Sequence, residues 1–224
     1  MYKAIILSCL TIAMSCSTKK LSSEMIADTL RLPVHGIKEE FFKEVPLKYY
    51  SKFGISVPNY LRVLDSLAID LNNDGALDTV AVFSPIVLDD EKYYEYGSGE
   101  AKRHLVEIVQ NTNRPVIRGV YNNLVSDYGG VLSKFGGLEL THKGFLIMHS
   151  SGARYSWTFE TELVSRDGRL YLDNVRKTCS FDGREINANF VFSDLLASQM
   201  STVDSLKSNC NCDSWWHKLE TRRE

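Results

Sequence analysis

Several things are scarce in this chain, and each scarcity excludes a class of function. Lys and Arg number 26 against 28 Asp and Glu, a net charge of −2 with mixed signs. That balance leaves no electrostatic footprint for nucleic acid, and without a long basic run the chain offers nothing to anionic lipid headgroups. Catalytic signatures are missing too. The stretch "YGSGE" around Ser98 lacks the spacing of a nucleophile elbow. His35, His104, His142, His149 and His217 are scattered, with no H-E-x-x-H among them. Gly129-Gly130 and Gly136-Gly137 are not followed by the Lys-Ser/Thr of a phosphate cradle. His149 stands beside Ser150 and Ser151, but adjacent strand residues point to opposite faces, which is poor geometry for a nucleophile and its base. The chain reads as a non-enzyme.

What is present begins with "MYKAIILSCLTIAMSCSTKK". One Lys, an apolar run over residues 4–14 and a small residue before a cysteine make a secretory signal peptide over residues 1–15, too short to span a bilayer. Ala13, Met14 and Ser15 ahead of Cys16 resemble the lipobox of bacterial lipoproteins. That resemblance implies cleavage before Cys16, a diacylglycerol on its thiol and an acylated new amine, which together exceed the two signals needed for stable anchoring. No Asp follows Cys16, so the anchor is expected in the outer membrane, with the protein facing the periplasm of a Gram-negative cell envelope.

The rest of the chain suits one domain. Apolar residues at 44% and aromatics at 11% can build a core. Residues 16–45 read as a lipidated tether, residues 46–190 as a β domain, and residues 191–224 as a C-terminal helical segment. "HLVEIVQ" and "PVIRGVY" flank "NTNR" as a hairpin. From 138 to 180, short strands alternate with the turns "THKG", "SGA" and "SRDG". Tyr155, Trp157, Phe159 and Leu163 alternate with Arg154, Ser156, Thr158, Glu160 and Glu162, giving one apolar and one wet face. The fold class expected is mainly β, an antiparallel meander forming a sandwich or a propeller-like domain. Phe192, Leu195, Leu196, Gln199, Met200, Val203 and Leu206 recur at helical spacing behind it.

Two stretches carry chemistry. "DLNNDGALD", residues 70–78, spaces oxygen donors as a calcium loop does: Asp70, Asn72, Asp74, the Ala76 carbonyl and Asp78, with Gly75 at the sharp turn. Ala81 stands where an EF-hand needs its bidentate Glu, and "VAVF" after the loop is strand-like. The pattern resembles the calcium loops of FG-GAP and VCBS-type repeats, which implies one structural calcium of modest affinity. The alternative is an Asx-rich turn with no ion. "SGARY" is similar to the Ser-Gly-x-x-Tyr-type loop of periplasmic and membrane-bound lysozyme inhibitors. The similarity implies Ser151, Gly152, Arg154 and Tyr155 as contacts to a lysozyme or another peptidoglycan hydrolase, whose carboxylates a hydroxyl and a cation could meet. The alternative is a hairpin turn with Tyr155 and Trp157 in the core. Residues 60–180 as a whole resemble uncharacterised lipoproteins of Gram-negative bacteria, which brings no activity. Of the remaining cysteines, Cys179 is expected to pair with Cys210 or Cys212, while "CNCDSWWH" with His217 offers a metal-binding alternative.

Overall fold

The computed structural model describes residues 27–111, 114–126, 134–152, 155–181 and 184–200. Among them the chain is mainly β, in three antiparallel sheets. A small hairpin pairs β1 (Tyr49–Lys52) with β2 (Ile55–Pro58). A four-stranded sheet follows in chain order: β3 (Leu61–Ile69), β4 (Asp78–Pro85), β5 (His104–Gln110) and β6 (Pro115–Tyr121). The expected hairpin is its β5–β6 pair, joined from Gln110 to Pro115. A five-stranded meander is formed by β7 (Lys134–Leu140), β8 (Phe145–Gly152), β9 (Tyr155–Arg166), β10 (Arg169–Phe181) and β11 (Arg184–Leu196).

Side-chain alternation builds two cores from these sheets. Along β4, Val80 and Val82 pack with Phe145, Ile147, Phe159, Leu163 and Leu172 of the five-stranded sheet. The intervening Ala81 and Phe83 pack the other way, with Leu30, Phe41, Ile55 and Val57. An unbroken apolar run such as "VAVF" suits a strand covered on both faces. The four-stranded sheet is therefore a middle layer, and of the two architectures expected it is the sandwich that fits.

Side chains close the sandwich where no ladder does. Asp65 Oδ2 accepts the Leu138 N–H at 2.7 Å, joining the β3 edge to β7. On the other side, Asn123 Nδ2 donates to the Ala197 carbonyl at 3.0 Å and the Met200 carbonyl at 2.6 Å. Edge strands offer unpaired backbone groups, and such bonds occupy some of them.

Two boundaries differ from the sequence reading. Part of the expected tether belongs to the body: Leu30 and Leu32 are buried, and a short helix α1 (Glu39–Glu44) sets Phe41 at 0% exposure in the outer core. Backbone bonds Leu30 N–H to Ser56 C=O (2.8 Å) and Ser56 N–H to Asp28 C=O (2.7 Å) fasten this segment to β2. Isolated apolar residues in a polar stretch carry no period, so the segment looks irregular until β4 and β5 present a face to cover.

The second difference is the C-terminal helix. Phe192, Leu195 and Leu196 lie in β11, followed by a 3-10 turn at Ala197–Gln199; Val203 and Leu206 lie outside the described residues. The register between β10 and β11 shifts at Leu172/Asn174. That irregularity lets Phe192 and Leu195, three residues apart, both pack on the core. A bulge thus reproduces the i, i+3 spacing of a helix within a strand.

Candidate metal loop, hairpin and buried polar nodes

Residues 70–78 connect β3 to β4, with Ile69 paired to Asp78 across the join. Asp70 Oδ1 accepts the Asp74 N–H at 3.2 Å and Oδ2 accepts the Gly75 N–H at 2.9 Å. Asn72 Oδ1 also accepts the Asp74 N–H, at 3.1 Å, and Asp74 Oδ1 accepts the Ala76 N–H at 2.8 Å. Asn72 Nδ2 in turn donates to Asp74 Oδ2 at 2.8 Å. Gly75 has φ +84°, and a Cβ there would meet no atom within 4 Å. Its requirement is conformational, not spatial. Desolvation works to raise the Asp70 carboxyl, but the backbone N–H groups of Gly75, Asn73, Asp74 and Asn72 outweigh it and hold the acid below its ordinary value.

These bonds gather the oxygens of Asp70, Asn72 and Asp74 around a few backbone N–H groups. A carboxylate oxygen that accepts one hydrogen bond can accept a second contact. Those three side chains, with the Ala76 carbonyl, fit a hard ion that takes oxygen ligands.

Asp78 fits less well. It is fully buried, with Oδ2 accepting the Leu71 N–H at 3.0 Å and Oδ1 the Gln110 N–H at 2.8 Å. Its carboxylate pins the loop and the end of β5 to the start of β4. Among the described residues no three His, Cys, Asp or Glu side chains gather as a metal-binding group. The loop's capacity therefore rests on two carboxylates, one amide and a backbone carbonyl.

The "SGARY" stretch falls where β8 turns into β9. Ser151 and Gly152 end β8, opposite Trp157 and Ser156, and Tyr155 opens β9. Ala153 and Arg154 lie outside the described residues, as does the environment of the Tyr155 side chain. Trp157 is half-buried against the core and Phe159 is buried within it. The apolar alternation expected of β9 is present from Trp157 onward.

Cys179 is disulfide-bonded, and its partner lies outside the described residues, as do Cys16, Cys210, Cys212 and His217. His149 is buried, and its Nε2 accepts the Ser126 N–H at 3.0 Å. Its ring sits near Phe135 and Phe159, which makes it a core residue. His104 is also buried; desolvation, and next the Lys102 charge, push it down to about 4.

Two ionic nodes have no sequence signature. Glu107, 1% exposed, takes both arms of Arg118 at 3.1 and 3.2 Å and the Tyr121 hydroxyl at 3.3 Å. Asp89 takes Arg103 at 2.7 Å, Arg62 at 3.5 Å and the Ser84 hydroxyl. Their partners stand many positions apart, and only strand pairing and loop closure bring them together. No protein-family model, no curated protein and no solved structure matches this chain.

Proposed function

We propose that this is a lipid-anchored, periplasm-facing protein of the Gram-negative outer membrane. It binds one calcium ion in the 70–78 loop and serves a non-catalytic binding or envelope-maintenance role. The observation that carries the calcium reading is the convergence of Asp70, Asn72 and Asp74 on the N–H groups of Asp74, Gly75 and Ala76. The ion would be held by those side chains and the Ala76 carbonyl, and would neutralise the clustered carboxylates between two core strands. The anchor rests on the sequence around Cys16. No helix among the described residues is long and apolar enough to cross a membrane.

Thermal unfolding of the full chain in detergent tests the metal reading. With two carboxylates and no bidentate Glu, the Kd belongs in the range of about 10⁻⁴–10⁻³ M. Calcium at about ten times Kd then stabilises by about 1.4 kcal/mol over chelator, and Asp74→Ala abolishes the difference. Identical melting in calcium and chelator refutes the reading.

A second reading is inhibition of a lysozyme or another peptidoglycan hydrolase through Ser151, Gly152, Arg154 and Tyr155. Its support is the place of Ser151, Gly152 and Tyr155 at the β8–β9 connection, a strand end and not a sheet centre. A turnover assay with excess protein decides it: slowed lysis that Arg154→Ala restores supports inhibition, and undiminished lysis across lysozyme types removes it.

A further inference from the structure

The outer face of the five-stranded sheet holds a cavity of about 210 Å³, lined by residues that belong neither to the 70–78 loop nor to the 151–155 stretch. Cross-strand register sets its floor. Leu146, Glu162 and Asn174 form one row across β8, β9 and β10, and Glu160 and Arg176 belong to the next. Its wall is the turn at residues 141–144, where Thr141 Oγ1 accepts the N–H groups of Lys143 (3.3 Å) and Gly144 (3.0 Å). The turn is pressed onto β9: a Cβ on Gly144 would lie 2.1 Å from the Leu163 carbonyl oxygen. Lys143 then reaches over to Asp173, the bulged residue of β10, at 3.3 Å.

Charges in the cavity are unevenly satisfied. Glu160 pairs with Arg176 at 3.1 Å. The Glu162 side chain, half-buried, takes part in no hydrogen bond or ion pair among the described residues. Asn174 Oδ1, in register beside it, is buried with no partner. Both unmet groups are acceptors, and one carries a charge. A buried polar atom is normally hydrogen-bonded, so Asn174 Oδ1 calls for a donor, and the water-accessible Glu162 beside it supplies a negative charge.

We infer that the cavity binds an alkylammonium group, a primary amine on a short aliphatic stem as in a diamine or a basic side chain. The ammonium brings three N–H donors and the counter-charge for Glu162, and Asn174 Oδ1 takes a second of its hydrogens. Leu146 gives the methylenes an apolar wall. A neutral sugar fits less well. It would cover the Glu162 carboxylate without neutralising it, and the floor presents a leucine where sugar stacking would use an aromatic ring.

The test is ligand-observed NMR and calorimetry on the full chain, with pentylamine and pentane-1,5-diamine as probes and pentan-1-ol and glucose as neutral comparators. Both amines bind, pentan-1-ol and glucose do not, and Glu162→Gln weakens amine binding at least about tenfold, as expected for a lost charge-assisted bond. Glu185→Gln, on exposed β11, leaves binding unchanged. The Glu162 side chain has no partner to lose among the described residues, so the variant keeps the parent melting temperature. The inference is overturned if pentylamine binds no better than pentan-1-ol, if glucose binds better than either amine, or if Glu162→Gln binds as the parent does.

Discussion

Asp78→Ala separates a calcium ligand from a structural pin. The Asp78 carboxylate is fully buried and satisfies two backbone N–H groups, those of Leu71 and Gln110, at 3.0 and 2.8 Å. Alanine removes both acceptors, and each buried donor left unmet costs about 1–3 kcal/mol. The Leu71 bond is buried, while the Gln110 bond is partly buried and regains some hydration. The sum expected is about 3–4 kcal/mol, a large share of the 5–15 kcal/mol typical of a domain. Asp74→Ala is the control, since in calcium-free buffer it loses only exposed turn bonds and costs within about 1 kcal/mol. Urea unfolding in chelator, followed by tryptophan fluorescence, reads the difference as a shift of midpoint at constant slope. Asp78→Asn should retain calcium stabilisation, whereas Asp70→Ala and Asp74→Ala lose it. Equal costs for Asp78→Ala and Asp74→Ala in chelator would refute the pin. Loss of the calcium response in Asp78→Asn would restore Asp78 to the ligand set.

Three further outcomes follow from buried groups. His104 is held neutral, pushed down to about 4, against an unfolded value near 6.5. The unfolded chain therefore binds the extra proton first, and stability falls as pH drops from about 6.5 to about 4, by up to about 3 kcal/mol. Urea midpoints across that window check this, and His104→Leu flattens them. Arg118→Met leaves Glu107 charged at 1% exposure without its fork and costs about 3–5 kcal/mol. The Glu107→Leu/Arg118→Met double variant is more stable than Arg118→Met by equilibrium unfolding. Gly75→Ala, with open space around it at φ +84°, costs about 1–2 kcal/mol for the left-handed backbone. Gly144→Ala drives a Cβ to 2.1 Å from backbone and destabilises more, visible as the larger drop in melting temperature.

The sequence by itself determined the local pattern. Period-2 alternation specified the apolar side of β9 from Trp157 to Leu163, and Gly-rich turns specified the meander from β7 to β10. The crowding of Asp and Asn between "LRVLDSLAID" and "TVAVFSP" marked the β3–β4 connection, because those residues favour turns in any context.

Tertiary structure decided what depends on a partner remote in the chain. Leu30, Leu32 and Phe41 became core only because β4 and β5 offered a second face. Phe192 and Leu195 took strand geometry because β11 bulges where its residues 192–194 stand against Asp173 alone, which resets which residues face inward. Asp78 looked like its neighbours Asp70 and Asp74, yet pairing of β4 with β5 brought the Gln110 N–H to it and buried it. Periodicity reports one segment's preference, whereas burial and hydrogen-bond satisfaction are properties of the assembled sheets. The Glu162–Asn174 cavity belongs to that second kind, since its two acceptors become neighbours only through the register of β9 against β10.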